Sequence, residues 1–570
     1  MPAYTLALSL AVTAPLLAPG YLLLRDAVST PRAYLTDAAL GLTDAAPRAL
    51  PQDFAVALAS HVVDGGIVVK LLLIVGLWLA GWGAAQLAGV VVPAAGLPGQ
   101  FVAATLAIWN PYVAERLLQG HWSLLVGYGC LPWIAAAVLR LRAGAGGPPA
   151  CGGERSDPGR FSGDGDWWPV LFWTALAGLT PTGLMLAAAV ALVSCAAPGA
   201  GRSRRRCAAV SLGAAVLGAL PWLVAPLLAG SLSLTQAAGV PQFAARAEPG
   251  LGTLLSVAGL GGIWNGQAVP GSRTTLFAVV ATVVLLTVVG VGLATAVRYP
   301  AARPLLVLAG VAVVAPALMA TGPGLAAVEA VVRAVPGLGV LRDAQKWVAL
   351  ALPAYAVAGA AAVVTLQRRV PQVVTAAVCC LALVAVLPDL AWGVGGKVTP
   401  VRYPAGWTAA AALLNADPRP VAVLPADSMR HYPWAGDAPI LDPLPRWVSA
   451  DVLTTGDLVI GGQTVPGEGK RAREVERLLQ SRAGADELAR AGVGWVVVEG
   501  GIENGTEPPL ALPVAFADDD LTVYRVGGQH PGAAHRDLMI AAHLVWLATL
   551  LAGAVGMLGT ALRRRRSEVY

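Results

Sequence analysis

The chain has 570 residues, and roughly two thirds of them are apolar on the count that gives soluble domains about 45–50%. A water-soluble globular protein is excluded. So is a disordered chain, because 39 basic against 33 acidic residues leave a net charge of only +6, whereas disorder needs low hydrophobicity and high net charge. The composition predicts a polytopic α-helical membrane protein, rich in the Ala and Gly that let helices approach closely. The six cysteines, Cys130, Cys151, Cys195, Cys207, Cys379 and Cys380, fall in apolar runs or arginine-bearing loops. They read as small hydrophobes, not as a disulfide framework or a zinc site.

A bilayer core about 30 Å thick takes roughly 20 apolar residues per helix. Such stretches fall near 4–24, 67–90, 98–114, 122–140, 167–179, 182–199, 208–230, 274–297, 304–321, 346–366, 372–394 and 538–562, which makes twelve crossings. Arginines mark the cytoplasmic side. They cluster at Arg140 and Arg142 with Arg155 and Arg160, at Arg202 and Arg204 to Arg206, at Arg298 and Arg303, at Arg368 and Arg369, and at Arg563 to Arg566. An even count puts every cluster, and both termini, inside. The first span lacks the positive flank of a secretory signal and reads as a retained helix. Two spans are broken, one around Thr180, Pro181, Thr182 and Gly183 and the other at Trp109, Asn110 and Pro111. Non-helical backbone at membrane depth survives where it is buried or lines a cavity, so both breaks are expected to border one.

This threading gives a membrane core over 1–394 with outer loops 25–66, 231–273 and 322–345, an outer domain over 395–536, and a last helix with a basic tail over 537–570. In the outer domain "PAGWTAAAALLNADPRPVAVLPAD" reads as helix, turn at Asp417 and Pro418, then a short buried strand. "DELARAGVGWVVVEGG" repeats that order, and "LTVYRV" alternates as a half-exposed strand. A small α/β domain is expected. "EGKRAREVERLLQSR" reads as a charged helix with a narrow apolar stripe, a solvated face and not a nucleic-acid patch.

Three segments carry candidate chemistry. The first outer loop holds Asp26, Asp37, Asp44, Asp53 and Asp64 against Arg25, Arg32 and Arg48. Asp37 and Asp44, seven residues apart, share a face if that stretch is helical, with Thr36 and Thr43 as caps. A carboxylate at the membrane surface can take a proton from an attacking sugar hydroxyl while a lipid phosphate leaves without needing an acid. The second segment, "NPYVAERLLQGHWSLLVGYG", carries Glu115, Arg116 and His121 at the mouth of two helices. Ionisable groups there are costly and are functional candidates, or else form an interfacial collar in which Glu115 pairs with Arg116 or His121. Glu115 and Arg116 diverge on a helix, so Arg116 and His121 are left to meet an anionic headgroup. The third, "GLGVLRDAQKWVALALP", sets Arg342 and Lys346 before a span on the outer side. Cations there run against the positive-inside bias, and a phosphate ligand or plain snorkelling accounts for them. "GGIWNGQAVPGSR" adds Trp264 and Asn265, a mix suited to sugar stacking. The chain has no phosphate-binding G-x-x-x-x-G-K-[ST] loop and no H-E-x-x-H zinc motif. No cofactor is indicated, and a divalent metal requirement is left open.

Through "NPYVAERLLQGHW", "LRDAQKW" and "LARAGVGWVVVEG", the chain resembles the GT-C glycosyltransferases, in particular the membrane core of the actinobacterial arabinofuranosyltransferase D type and the related YfhO-like proteins. The sharp likeness covers some forty residues, and the chain is much shorter than an arabinofuranosyltransferase D. The resemblance implies a sugar, arabinofuranose or mannose, moved from a polyprenyl-phosphate donor to a cell-envelope glycan or glycolipid outside the plasma membrane, with inversion. It implies an aspartate base in the first outer loop, Asp37 or Asp44 first and Asp26 third, although the family's acid follows the first span closely, which favours Asp26 or Asp37. Arg116, His121, Arg342 and Lys346 would hold the lipid phosphate. The alternatives are a transporter or flippase of lipid-linked glycans, which needs ionisable residues deep in several helices, and a non-catalytic protein that organises envelope assembly.

Overall fold

The structure is a computed structural model. It describes residues 1–44, 49–144, 166–229, 239–335, 337–460, 462–500 and 510–567, so Arg48, Cys151, Arg155 and Arg160 lie outside the described residues.

Six helices among those residues are long and apolar enough to cross a bilayer: Gly65–Val91, Trp122–Ala143, Arg204–Leu228, Phe277–Ala296, Ala344–Leu366 and Arg536–Arg563. The count rises to eight if two bent pairs each make one span, Arg303–Met319 turning by 95° into Gly322–Ala334 and Gln372–Ala385 turning by 72° into Pro388–Gly396. The chain is thus a largely helical fold with six to eight helices that could span a bilayer, consistent with a membrane protein. The other predicted spans are occupied by shorter helices: Pro2–Thr13, Gly96–Ile108, Trp168–Ala177 and Pro181–Ser194. At 10 to 14 residues these fall short of the roughly 20 that the sequence reading assumed. The first of them gives way at Tyr21–Leu24 to a strand, where a helix to residue 24 was expected.

Capping side chains build both breaks. Asn110 ends one helix and caps the next: its Oδ1 accepts from Val113 N at 3.1 Å, and its Nδ2 donates to Leu106 O, Ala107 O and Tyr128 Oη. Pro111 follows at the first helical position. The void beside Trp109 and Pro111 is only about 10 Å³, room for about one water. Thr180 caps the helix that begins at Pro181. There Gly183 packs backbone to backbone on Gly127, where an added Cβ would lie 2.9 Å from the Gly183 Cα.

The described residues of the segment 395–536, expected as an outer domain, fold into an α/β unit. Its five-stranded sheet has the order Val514–Ala517, Leu521–Arg525, Trp495–Glu499, Val421–Leu424, Val452–Leu453, parallel on one side of Trp495–Glu499 and antiparallel on the other. Alternation along the strand Val421–Leu424 splits the core. Val421 and Val423 pack with Trp407, Ala411 and Leu414 of the helix Ala405–Ala416, and Ala422 and Leu424 pack with Val475, Leu479 and Leu488 on the other face. The charged helix Lys470–Gln480 buries its narrow stripe of Ala472, Val475 and Leu479.

A hairpin from the first outer loop ties this domain to the helices. Tyr21–Leu24 pairs with Ala27–Val28 on one side and with Pro400–Val401 on the other, and Leu23 and Val28 sit in the same core as Trp407. Contacts sort the loops into two sets. One joins 25–26, 118–121, 261–267, 343–346 and 440–441. The other joins Arg142 to Ala197 and Arg202, and Gln372 to Ala94.

Candidate functional site

The hairpin tip lies on a helix end. The helix Pro111–Leu118 leaves carbonyls at its C-terminus without partners inside it. Arg25 donates to Leu118 O at 2.6 Å and to Gln267 O at 3.0 Å, and the Asp26 N–H donates to Gln119 O at 3.2 Å. Such a close approach requires glycine at 120. Its φ of +82° is left-handed, and a Cβ there would press into the Leu24 carbonyl and the Ala27 amide.

This seating delivers the Asp26 carboxylate to His121. Asp26 Oδ2 lies 2.8 Å from His121 Nε2 and 3.1 Å from Gln119 Nε2, and Gln119 Oε1 accepts from Asn265 Nδ2 at 2.8 Å. Arg116 Nη1 stands 3.0 Å from His121 Nδ1. A guanidinium only donates, so Nδ1 accepts and the ring proton sits on Nε2, directed at Asp26. Burial lowers the His121 pKa and outweighs the Asp26 hydrogen bond, so the ring is neutral near pH 7. Burial raises the Asp26 pKa, but the His121 and Gln119 hydrogen bonds and the Lys346 charge outweigh it and leave the carboxyl below the ordinary range. Asp26 is therefore ionised. Its side chain is 36% exposed, and among the described residues Oδ1 accepts no hydrogen bond.

Beneath lies a buried polar web. Asp343 accepts from Arg116 at 2.8 and 3.1 Å, and Arg116 also donates to Gln345 Oε1. Gln345 Nε2 donates to Glu115 Oε2 at 3.0 Å, and the Glu115 oxygens accept from the Gly262 and Ile263 amides, both at 3.1 Å. Burial raises the Asp343 pKa, yet the charges of Arg116 and Lys346 more than reverse it. For Glu115, burial and the charge of Glu248 push the carboxyl up. Glu248 is itself paired with Arg273 in the interior.

The predicted residues divide into two groups. Asp26, Glu115, Arg116, His121, Lys346 and Asn265 meet in one cluster, while Asp37 and Asp44 lie elsewhere. The helix that was to align those two runs only over Asp37–Leu40 and ends at Gly41 in the left-handed conformation, so they do not share a helical face. Asp37 accepts from the Ala533 amide and Arg536, and Asp44 accepts from the Arg471 amide at 2.9 Å. Both fasten the loop to the outer domain and its exit. Arg116 is fully buried and both of its terminal nitrogens are engaged by Asp343, Gln345 and His121, so its guanidinium supports the site from below and does not face a headgroup. Among the described residues, Glu115 forms no ion pair with Arg116 or His121; Gln345 bridges Glu115 and Arg116, and the Gly262 and Ile263 amides take the other contacts of the Glu115 carboxylate. Lys346 keeps 24% of its side chain exposed, 3.7 Å from Asp343. Arg342 lies over the Phe243 ring at 4.9 Å, and Phe243 meets Trp264 edge to face at 4.7 Å.

Sequence reading gave Asp343 and Gln345 no role beyond flanking two cations, and it overlooked Gln119. A polar residue four positions after Glu115, at a helix end, was the available signal. Among the described residues, no three His, Cys, Asp or Glu side chains are grouped to hold a metal ion. No family model, curated protein or solved structure matches the chain.

Proposed function

We propose that the chain is an inverting membrane glycosyltransferase of GT-C type that moves a sugar from a polyprenyl-phosphate donor to an envelope glycan or glycolipid, with Asp26 as the base. The observation that carries this reading is a half-exposed, ionised carboxylate held through one oxygen by a neutral histidine, with a partly exposed lysine close enough to act on its charge. Oδ1 of Asp26 takes the proton of the acceptor hydroxyl as that oxygen attacks the anomeric carbon. The carbon–phosphate oxygen bond breaks on the opposite face, and Lys346, with Arg342 beside it, holds the departing phosphate. Arg116, Asp343 and Gln345 position His121 and Lys346 without touching substrate. Trp264 and Phe243 offer aromatic faces to the sugar or the prenyl chain.

On this reading the shorter helices complete twelve crossings, both termini are cytoplasmic, and Asp26 and the outer domain lie outside. The two sets of loop contacts support that alternation. The test is product formation by purified protein in lipid nanodiscs, supplied with radiolabelled polyprenyl-phosphate mannose or arabinofuranose and an envelope glycolipid extract. Transfer with inversion at the anomeric carbon is expected. Passage of intact donor across liposomes without transfer would favour the transporter reading instead.

A further inference from the structure

A second cavity, distinct from the Asp26 cluster, lies between the first outer loop and the outer domain. Its volume is about 190 Å³, below the about 300 Å³ at which drug-sized pockets begin, which suits a single sugar ring. Tyr34 and Asp53 line it from the loop, Trp122 from the start of a membrane helix, and Asp427, Asp442 and Arg446 from the outer domain. Cross-links between the two sides fix the walls: Arg446 Nε donates to Asp53 Oδ1 at 3.2 Å, Arg471 N donates to Asp44 Oδ2 at 2.9 Å, and Asp37 N donates to Asp451 Oδ1 at 2.9 Å.

Charge selects the occupant. Four carboxylates line the cavity, those of Asp53, Asp427, Asp442 and Glu468; Asp53 pairs with Arg446 and Asp442 lies 3.7 Å from Arg430, so four negative groups meet two guanidinium groups and the lining stays acidic. Such a lining repels phosphate and offers acceptors to hydroxyl donors. Tyr34, over whose ring Arg32 lies at 5.4 Å, and the small accessible part of Trp122 add apolar surface against which the C–H side of a sugar can rest. Trp122 follows His121 directly, so the cavity wall and the partner of Asp26 belong to one turn of chain.

We propose that this cavity binds one neutral sugar residue of the acceptor glycan. The assignment of the sugar to the acceptor rests on the transferase reading, whereas binding itself does not.

The experiment uses the full chain in nanodiscs and saturation-transfer NMR with methyl α-mannopyranoside and methyl α-arabinofuranoside. At least one glycoside is expected to bind saturably, with affinity at least tenfold lower in Tyr34→Ala and in Ala38→Phe, which fills the cavity from the loop side, and with mannose 1-phosphate at least tenfold weaker. Melting curves establish that the variants fold, and should Tyr34→Ala fail to fold, Ala38→Phe carries the comparison. Asp26→Asn is expected to bind the glycoside as wild type does. Its turnover tests the transferase reading separately, so either claim can fail alone. No saturable binding of either glycoside, equal affinity in the folded cavity variants, or calcium binding in place of glycoside binding overturns the proposal.

Discussion

Asp343 grips Arg116 through both carboxylate oxygens, at 2.8 and 3.1 Å, across 227 positions of sequence, and the guanidinium is sealed from solvent. Removing one member of a buried pair leaves an uncompensated charge, typically at about 3–5 kcal/mol. Asp343→Ala is therefore expected to lower the stability of the membrane core by that order. Denaturant titration in mild detergent measures it, and an unchanged midpoint would mean that solvent reaches Arg116.

Gly120 admits no side chain without moving the hairpin tip. Gly120→Ala is expected to leave expression and membrane insertion intact while displacing Asp26 from His121 and lowering turnover at least about tenfold. Serine at the same position adds the same Cβ and is expected to behave alike. Turnover equal to wild type in both would show that the seating of the tip does not matter.

Acid–base linkage separates the outer docking contacts from the cluster. Burial and the neighbouring Asp37 charge push Asp451 up to about 6 from its ordinary 3.8. A carboxyl raised on folding binds its proton more tightly in the native state, so its ionisation destabilises the fold as pH rises from about 4 through 6 and the full penalty is present above that. Asp451→Asn, which keeps an acceptor for the Asp37 amide, is expected to be more stable than wild type at pH 8 by about 1–2 kcal/mol after allowance for partial exposure. The gain should vanish near pH 4. Thermal melts at the two pH values check the sign, and a gain at pH 4 alone would reverse it.

The long apolar helices were legible because hydropathy is a local signal, and so were the Asn110 and Thr180 breaks and the strands Val421–Leu424 and Trp495–Glu499. Span length was less legible. Trp168–Ala177 and Pro181–Ser194 are short because Thr180 and Pro181 restart the helix, and composition does not measure where a restarted helix stops. The choice among the loop aspartates was hidden for a different reason. Asp26 is defined by partners 93 and 95 positions away, and Asp37 by one 499 away. Spacing within the loop says nothing of these, and it suggested a shared face for Asp37 and Asp44 that the left-handed Gly41 breaks.

Since Asp37 and Asp44 hold the outer domain, their loss is expected to loosen that contact and leave the chemistry. In Asp37→Asn the partner Arg536 loses its charge complement, and limited proteolysis of the 526–535 connector should quicken severalfold. Digestion at the wild-type rate would show that the ion pair does not hold the connector.

The most direct test compares three single variants in the nanodisc transfer assay. Asp26→Asn keeps the size of the side chain and removes the base, and turnover is expected to fall at least about 100-fold, as for the loss of a general base, with the fold retained. Asp37→Asn and Asp44→Asn are expected to stay within severalfold of wild type. Wild-type turnover in Asp26→Asn, or a 100-fold loss confined to Asp37→Asn or Asp44→Asn, would contradict the account.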